Sequence, residues 1–338
     1  MNRRRQGRNG IAAASFALSC GFILAETSSS AAFDCKKAST KSEKAICADP
    51  AALAADAKLG KTYEALLGAL DPAQRPELAK SQVKWIGERD SACAEKSGQE
   101  LSACLAEQSA DRVTAFLGLW RGGGGNVGGL LVPFFRADKG GRGRTAIDVL
   151  VYKFLDPETP AQRAFNVAVD KLTADIPQPD KGDKSDNFDF TARMTLAYGS
   201  PKLWSAQLVT STYLGGAHPN TSLASVNIDV AGGRETRFAD MMDKAKAAVV
   251  FKACAAQVLK QKKDNEGADA DTSPEALKTL RETVASVSGD LALWTFEADK
   301  AVITYEADVV GAHAEGVFDC TLPYSELRAL VKPGFPLP

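Results

Sequence analysis

The stretch FDFTARMTLAYGS, residues 188–200, alternates apolar and mostly polar side chains. Phe188, Phe190, Ala192, Met194, Leu196 and Tyr198 fall on one face, with Asp189, Thr191, Arg193 and Thr195 on the other. Successive side chains of a pleated strand point to opposite faces, so the pattern predicts a half-buried strand. Gly199-Ser200-Pro201 turns the chain, and residues 203–213 return as a second strand. After the loop YLGGAHPN, residues 213–220, Ala224, Val226, Ile228 and Val230 alternate with Ser225, Asn227 and Asp229, and the meander ends at Gly232-Gly233.

Residues 240–263 read as a helix with Phe251, Cys254, Val258 and Leu259 on one stripe, and 274–287 as another. Strands over 291–296 and 302–305 flank an Ala298-Asp299-Lys300 turn, and a last strand places Phe318, Cys320 and Leu322 on one face. Runs of strands and helices joined by hairpins predict an α+β fold, here an antiparallel sheet covered by helices from 130 to 338. If the 240–263 helix covers that sheet, Cys254 meets Cys320, and a disulfide is expected between them.

The preceding region is helical. Thr40 and Glu43 form a capping box that starts a helix near Lys41. Leu59, Tyr63, Leu66 and Leu70 make an amphipathic stripe that Asp71-Pro72 breaks. A helix over about 74–89 carries Leu78, Val83, Trp85 and Ile86, and another carries Leu101, Leu105, Val113, Phe116 and Trp120. This predicts a small antiparallel helical domain, 33–120. In a hairpin centred on Asp71, Cys47 and Cys93 come level, which favours Cys47–Cys93 and leaves Cys35–Cys104; four cysteines allow three pairings. Residues 121–129 are glycine-rich and read as a flexible linker; no Lys-Ser or Lys-Thr closes them as a phosphate loop requires.

Arg3, Arg4, Arg5 and Arg8 precede an apolar run over 11–25, too short to span a bilayer comfortably but suited to a signal peptide. Small residues at Ser30-Ala31-Ala32 predict cleavage before Phe33, which makes 1–32 the signal peptide. Lipidation at Cys20 fits less well, because Ala17 stands where a leucine-like residue is usual. Export to the periplasm or beyond is expected, with no membrane span left after cleavage. Cleavage leaves six of the seven cysteines, an even number suited to disulfides in an exported chain. It also removes four arginines and one glutamate from a formal charge of −1, leaving −4. A mildly acidic chain has no reason to hold nucleic acid and is gently steered towards a basic partner.

Two resemblances follow. Phe33-Asp34-Cys35, Lys37-Ala38, Thr40, Glu43 and Ile46-Cys47, then Gln82-x-x-Trp85-x-x-x-Arg89-Asp90-x-x-Cys93 and Cys104, resemble the LprI-type lysozyme-inhibitor N-terminal family. That resemblance implies an exported helical module, some members of which bind and inhibit lysozyme. Within it, Trp85 is read as core and Arg89 as the partner of Asp90 or Glu88. Tyr213-x-Gly215-Gly216-Ala217-His218-x-Asn220, Asn227-x-Asp229, Gly233, Gly316 and residues 322–327 resemble the C-terminal extracellular domain of RsiV-type anti-sigma factors and PdaC-type deacetylases. In RsiV-type proteins the resemblance implies lysozyme sensing. In the deacetylases it implies an accessory to a separate catalytic domain, which this chain lacks.

Chemical readings find less. Only two histidines are present, with no HExxH, so neither metal nor cofactor is expected; convergence of His218, His313 and Glu315 is the weak exception. Ser81-x-x-Lys84 and Ser185-Asp186-Asn187 mimic penicillin-binding motifs, but no Lys-Thr-Gly follows and no Gly-x-Ser-x-Gly exists, so no catalytic residues are assigned. Gly215 and Gly216 read as a tight turn, and the Gly-Ala-His echo at 311–313 as coincidence. The turn reads as a recognition scaffold with Tyr213, His218, Pro219 and Asn220 as candidate partner contacts, while for His218 a ring bonded to a backbone carbonyl that fixes the loop is the reading favoured over direct contact. The leading reading is a non-enzymatic protein that binds, and in its fuller form inhibits, a lysozyme-type muramidase. The alternatives are a peptidoglycan- or envelope-protein-binding module and an unrecognised cell-wall hydrolase.

Overall fold

In the computed structural model of the chain, residues 34–124, 128–141, 144–176, 189–215, 218–266 and 271–338 are described. The expected signal peptide with Cys20, the cleavage site before Phe33, Ser185-Asp186-Asn187, Phe188 and Gly216-Ala217 lie outside them. The fold is α+β.

A 3-10 turn, Cys35–Lys37, leads into α1 (Lys41–Ala48), α2 (Pro50–Ala69), α3 (Arg75–Ala92) and α4 (Gly98–Phe116). The capping box starts α1 where expected: Thr40 Oγ1 accepts from the Glu43 N–H at 3.1 Å, and the Glu43 carboxylate accepts from the Thr40 N–H at 2.9 Å. Hydrogen bonds from the Thr40 and Ser39 N–H groups pull the Glu43 carboxyl down to about 2.

The two N-terminal disulfides correct the expected pairing. Cys35 bonds Cys47 and Cys93 bonds Cys104, with Cα–Cα distances of 5.8 and 6.0 Å. Neither Cys35–Cys104 nor Cys47–Cys93 forms. The expectation assumed that the arms on either side of Asp71 pack together as one hairpin. Instead Asp49, whose carboxylate accepts from the Ala51 and Ala52 N–H groups at 2.9 Å each, caps a new helix and sets Cys47 apart on α1. Helix α2 packs along α4, while α3 leans on the sheet. Each cysteine therefore finds its neighbour in sequence.

Strands β1 (Leu130–Gly141), β2 (Arg144–Leu155), β3 (Asp189–Gly199), β4 (Leu203–Tyr213), β5 (Asn220–Asp229) and β6 (Arg234–Glu235) form one sheet in chain order. All neighbours are antiparallel except β2 and β3. A parallel pair needs a crossover, and α5 (Pro160–Leu172) supplies it. After α6 (Phe238–Met241), α7 (Lys244–Glu266) and α8 (Pro274–Val287), strands β7 (Trp294–Phe296), β8 (Lys300–Tyr305) and β9 (Phe318–Pro323) make a second antiparallel sheet, followed by α9 (Tyr324–Leu327). Cys254 on α7 bonds Cys320 on β9, the helix-over-sheet contact its sequence position predicts.

Two large hydrophobic cores result. The first combines Leu59, Leu66, Leu78, Val113 and Phe116 of the helical segment with Phe135, Ile147, Phe165, Leu196 and Trp204 of the sheet and α5. The second gathers Val250, Val258, Val284, Trp294, Phe296, Tyr305 and Phe318 around the small sheet.

The helical segment is thus docked on the sheet. Gln74, which precedes α3, and Glu77 of α3 accept the Phe135 and Ala137 N–H groups of edge strand β1 at 3.3 and 2.8 Å, which satisfies donors an edge would expose. Lys84 of α3 pairs with Asp148 at 2.7 Å, and the Arg193 guanidinium donates to the same carboxylate. Burial favours the protonated form of Asp148, but Arg193 and Lys84 outweigh it and hold the carboxyl below its ordinary range.

The glycine stretch begins as part of this joint. The Arg121 N–H donates to Leu196 at 2.9 Å, and the Gly199 N–H to Gly122 at 3.1 Å. Gly123 has φ +85°, and a Cβ there would strike the Gly199 carbonyl. Just before this stretch, Trp120 inserts beside Trp204 and Phe165 with centroids 6.5 and 6.1 Å away. Among the described residues no helix is long and apolar enough to cross a membrane.

Candidate functional site

The hairpin between β4 and β5 was expected to carry recognition. Its strands pair up to Thr212 and Asn220, Tyr213 still pairs with Asp189 of β3, and the described residues 214–215 and 218–219 lie beyond that ladder. Gly215 takes φ +82°, a left-handed conformation suited to glycine. Leu214, His218, Pro219 and Asn220 are exposed and Tyr213 is half-buried. His218 Nδ1–H donates to the Pro219 carbonyl at 3.2 Å.

The second histidine is also here. The His218 and His313 rings stack with centroids 3.7 Å apart and planes at 21°. His313 Nδ1–H donates to Asp308 at 2.8 Å, and Glu306 accepts the Leu223 N–H of β5 at 2.5 Å, which moors the 306–316 loop to the hairpin. The echo at 311–313 is therefore a contact in space. Glu315 does not complete a ligand set, because its carboxylate takes Lys262 Nζ at 2.5 Å and the Ala312 N–H. Stacked rings aim their in-plane lone pairs side by side instead of at one ion. Among the described residues no group of three or more His, Cys, Asp or Glu side chains can hold a metal.

Ser81 and Lys84 are likewise committed to structure. Ser81 is 3% exposed and its Oγ accepts from Arg112 at 2.9 Å, while Lys84 binds Asp148. Arg112 itself lies over Phe116, Phe135 and Trp85 at 4.6, 5.6 and 5.5 Å. Its pKa falls to about 10, first through burial and then through the charge of Arg193. Arg89 sits 5.2 Å over Trp85 and pairs with Asp90 at 2.9 Å and Asp56 at 3.6 Å. Both Trp85 and Arg89 belong to the packed interior.

The surface that sequence reasoning passed over is the outer face of α4. The helix turns Leu101, Leu105, Val113 and Phe116 inward. Glu100, Ala103, Glu107, Ala110 and Asp111 recur at helical spacing on the exposed side. Arg112, the only basic residue of α4, is buried. Among the described residues none of the three carboxylates has a cationic partner. The result is an acidic stripe with alanines between its charges, on a helix tethered by the Cys93–Cys104 bond. Its signal was available: E-x-x-A-x-x-x-E-x-x-A-D contains no lysine or arginine.

One comparison with known proteins falls on the same segment. Residues 35–116 match the family described as lysozyme inhibitor LprI. An uncharacterised protein of Rhizobium meliloti (strain 1021) is 34% identical over 102 residues, spanning 23% of this chain and 73% of its own length. Among solved structures, a DUF3298-family protein from Pseudomonas aeruginosa PAO1 is similar at 15% identity and a TM-score of 0.36, over 57% of this chain and 88% of its own. A DUF3298-family member from Bacteroides fragilis NCTC 9343 is similar at 13% identity and a TM-score of 0.39, over 60% and 93%.

Proposed function

We propose, from the premise that the chain belongs through residues 35–116 to the LprI lysozyme-inhibitor family, that it is an exported, non-enzymatic protein that binds a lysozyme-type muramidase and inhibits it. The observation that carries the reading is the family match on a segment whose helix α4 has only carboxylates as the charges on its exposed face. A basic muramidase of the chicken type is drawn to such a stripe, and charge complementarity of this kind sets encounter rate and register. The alanines between the carboxylates let a partner's surface approach the helix closely.

Preorganisation supports the same reading. The Cys35–Cys47 bond ties the N-terminal turn to α1 and the Cys93–Cys104 bond ties the end of α3 to α4, so little order is lost on docking. A muramidase needs both catalytic carboxylates open to glycan, and a rigid body seated on the basic rim of the cleft obstructs that access. We read residues 130–338 as an RsiV/PdaC-type extracellular domain, with Tyr213, His218, Pro219 and Asn220 as a second contact.

The test is calorimetric titration of the oxidised mature chain with chicken-type lysozyme beside a cell-wall lysis assay. The reading expects saturable binding and slowed lysis. Absence of binding at about 10 μM protein contradicts it for that enzyme class, and retention on insoluble peptidoglycan would move the partner to the wall itself.

A further inference from the structure

Away from both the stripe and the hairpin, α6, α7 and α8 enclose a cleft of about 650 Å³. This lies within the size range of small-molecule sites. Phe238 and Phe251 stack across its floor with centroids 5.7 Å apart, and Phe238 rests 6.2 Å from the Trp294 ring. The walls stay apart because the facing helical positions are Ala248 and Ala285.

The rim is cationic. Lys244 and Lys252 stand two turns apart on α7, Arg281 stands opposite on α8, and all three are exposed. Among the described residues none of them is paired with a carboxylate. Two acids beside α7 are spent elsewhere: Asp240 binds Arg234 and Arg237 at 2.6 and 3.1 Å, and Asp243 binds Lys332 at 2.9 Å. An apolar trench fringed by three unpaired cations suits one chemistry, an apolar chain ending in an anion.

We propose that this cleft binds a single-chain anionic amphiphile of the fatty-carboxylate type, with its chain over Phe238 and Phe251 and its head among Lys244, Lys252 and Arg281. Burial of the chain supplies the affinity, and the arginine fork with the flanking lysines orients the head.

The probe is dodecanoate below its micelle concentration, titrated calorimetrically into the oxidised mature chain with dodecanol as the neutral control. Expected are saturable binding of one molecule per chain, at least about tenfold weaker binding of dodecanol, and a similar loss in Lys244→Glu/Lys252→Glu/Arg281→Glu. Ala248→Trp, which fills the trench, abolishes binding; should it fold poorly, the exposed charge-reversal variant still decides the matter. Equal affinity for dodecanol, undiminished binding in the charge-reversal variant, or no binding at about 1 mM dodecanoate overturns the proposal. The cleft variants leave lysozyme binding unchanged and variants of the α4 stripe leave dodecanoate binding unchanged, so the two readings fail separately.

Discussion

The two large cores of this chain are closed by different means. The first spans the helical segment and the six-stranded sheet, yet neither disulfide of the helical segment reaches the sheet. Its seam is held by packing around Phe116 and Trp120 and by the Lys84–Asp148–Arg193 cluster. The second core is crossed by Cys254–Cys320, which ties α7 to β9 over a sequence separation of 66. The N-terminal bonds close separations of only 12 and 11. Local crosslinks stiffen a surface, whereas the long one holds a core together.

Removing crosslinks should expose that difference most strongly. Loop-closure entropy assigns about 4 kcal/mol to a loop of the Cys254–Cys320 length and about 3 kcal/mol to one of the Cys35–Cys47 length. Cys254→Ser/Cys320→Ser is therefore expected to lower the denaturation midpoint further than Cys35→Ser/Cys47→Ser, as followed by circular dichroism in urea. An equal or reversed order would break the comparison.

A smaller effect is expected at the seam. Asp148→Asn leaves Arg193 and Lys84 without their carboxylate, and breaking a buried pair costs about 3–5 kcal/mol. Both cations are more than a third exposed, at 38% and 37%, so water screens the loss and about 2 kcal/mol is expected. Because Asp148 is held below the ordinary aspartate value of 3.8, its contribution is fully present above that pH and is lost as the pH falls further. Acid titration of the wild type and of Asp148→Asn should show stabilities converging below that point. Parallel curves would remove Asp148 from the seam.

The hairpin gives the smallest change. His218 is exposed and stacks on a half-exposed His313, so His218→Ala should shift unfolding free energy by no more than about 0.5 kcal/mol. A larger loss would make the stacked pair a structural joint of the 306–316 loop.

Much of this was legible in the residues. The alternation of 189–196 marks β3 up to the register shift between Leu196 and Tyr198, where Ala197 is buried as well, and Ser273-Pro274 opens α8 where a cap and a first-turn proline belong. The pairing of Cys254 with Cys320 followed from a stripe and a strand face. What failed was an argument about distance between helices. Asp71-Pro72 does end α2, but a break in a stripe says nothing about which helix packs on which. Helix α5 also had its signal in the Thr159–Gln162 capping box with Pro160 between, and the parallel β2–β3 pair follows from it. The meeting of His218 with His313 had no local signal, since it depends on how the loop after β8 lies against β5. The acidic face of α4 was written in the sequence and needed only the burial of Arg112 to become one-signed.

The central claim is that α4 presents the binding surface, and one titration tests it. Glu100→Lys/Glu107→Lys/Asp111→Lys alters three exposed side chains and should leave folding stability within about 0.5 kcal/mol per site. Calorimetry of this variant and the wild type with chicken-type lysozyme, at low and high salt, is expected to show at least about a hundredfold loss of affinity in the variant and a salt-sensitive wild type. Equal affinities, with the variant folded and the wild type indifferent to salt, would contradict the account.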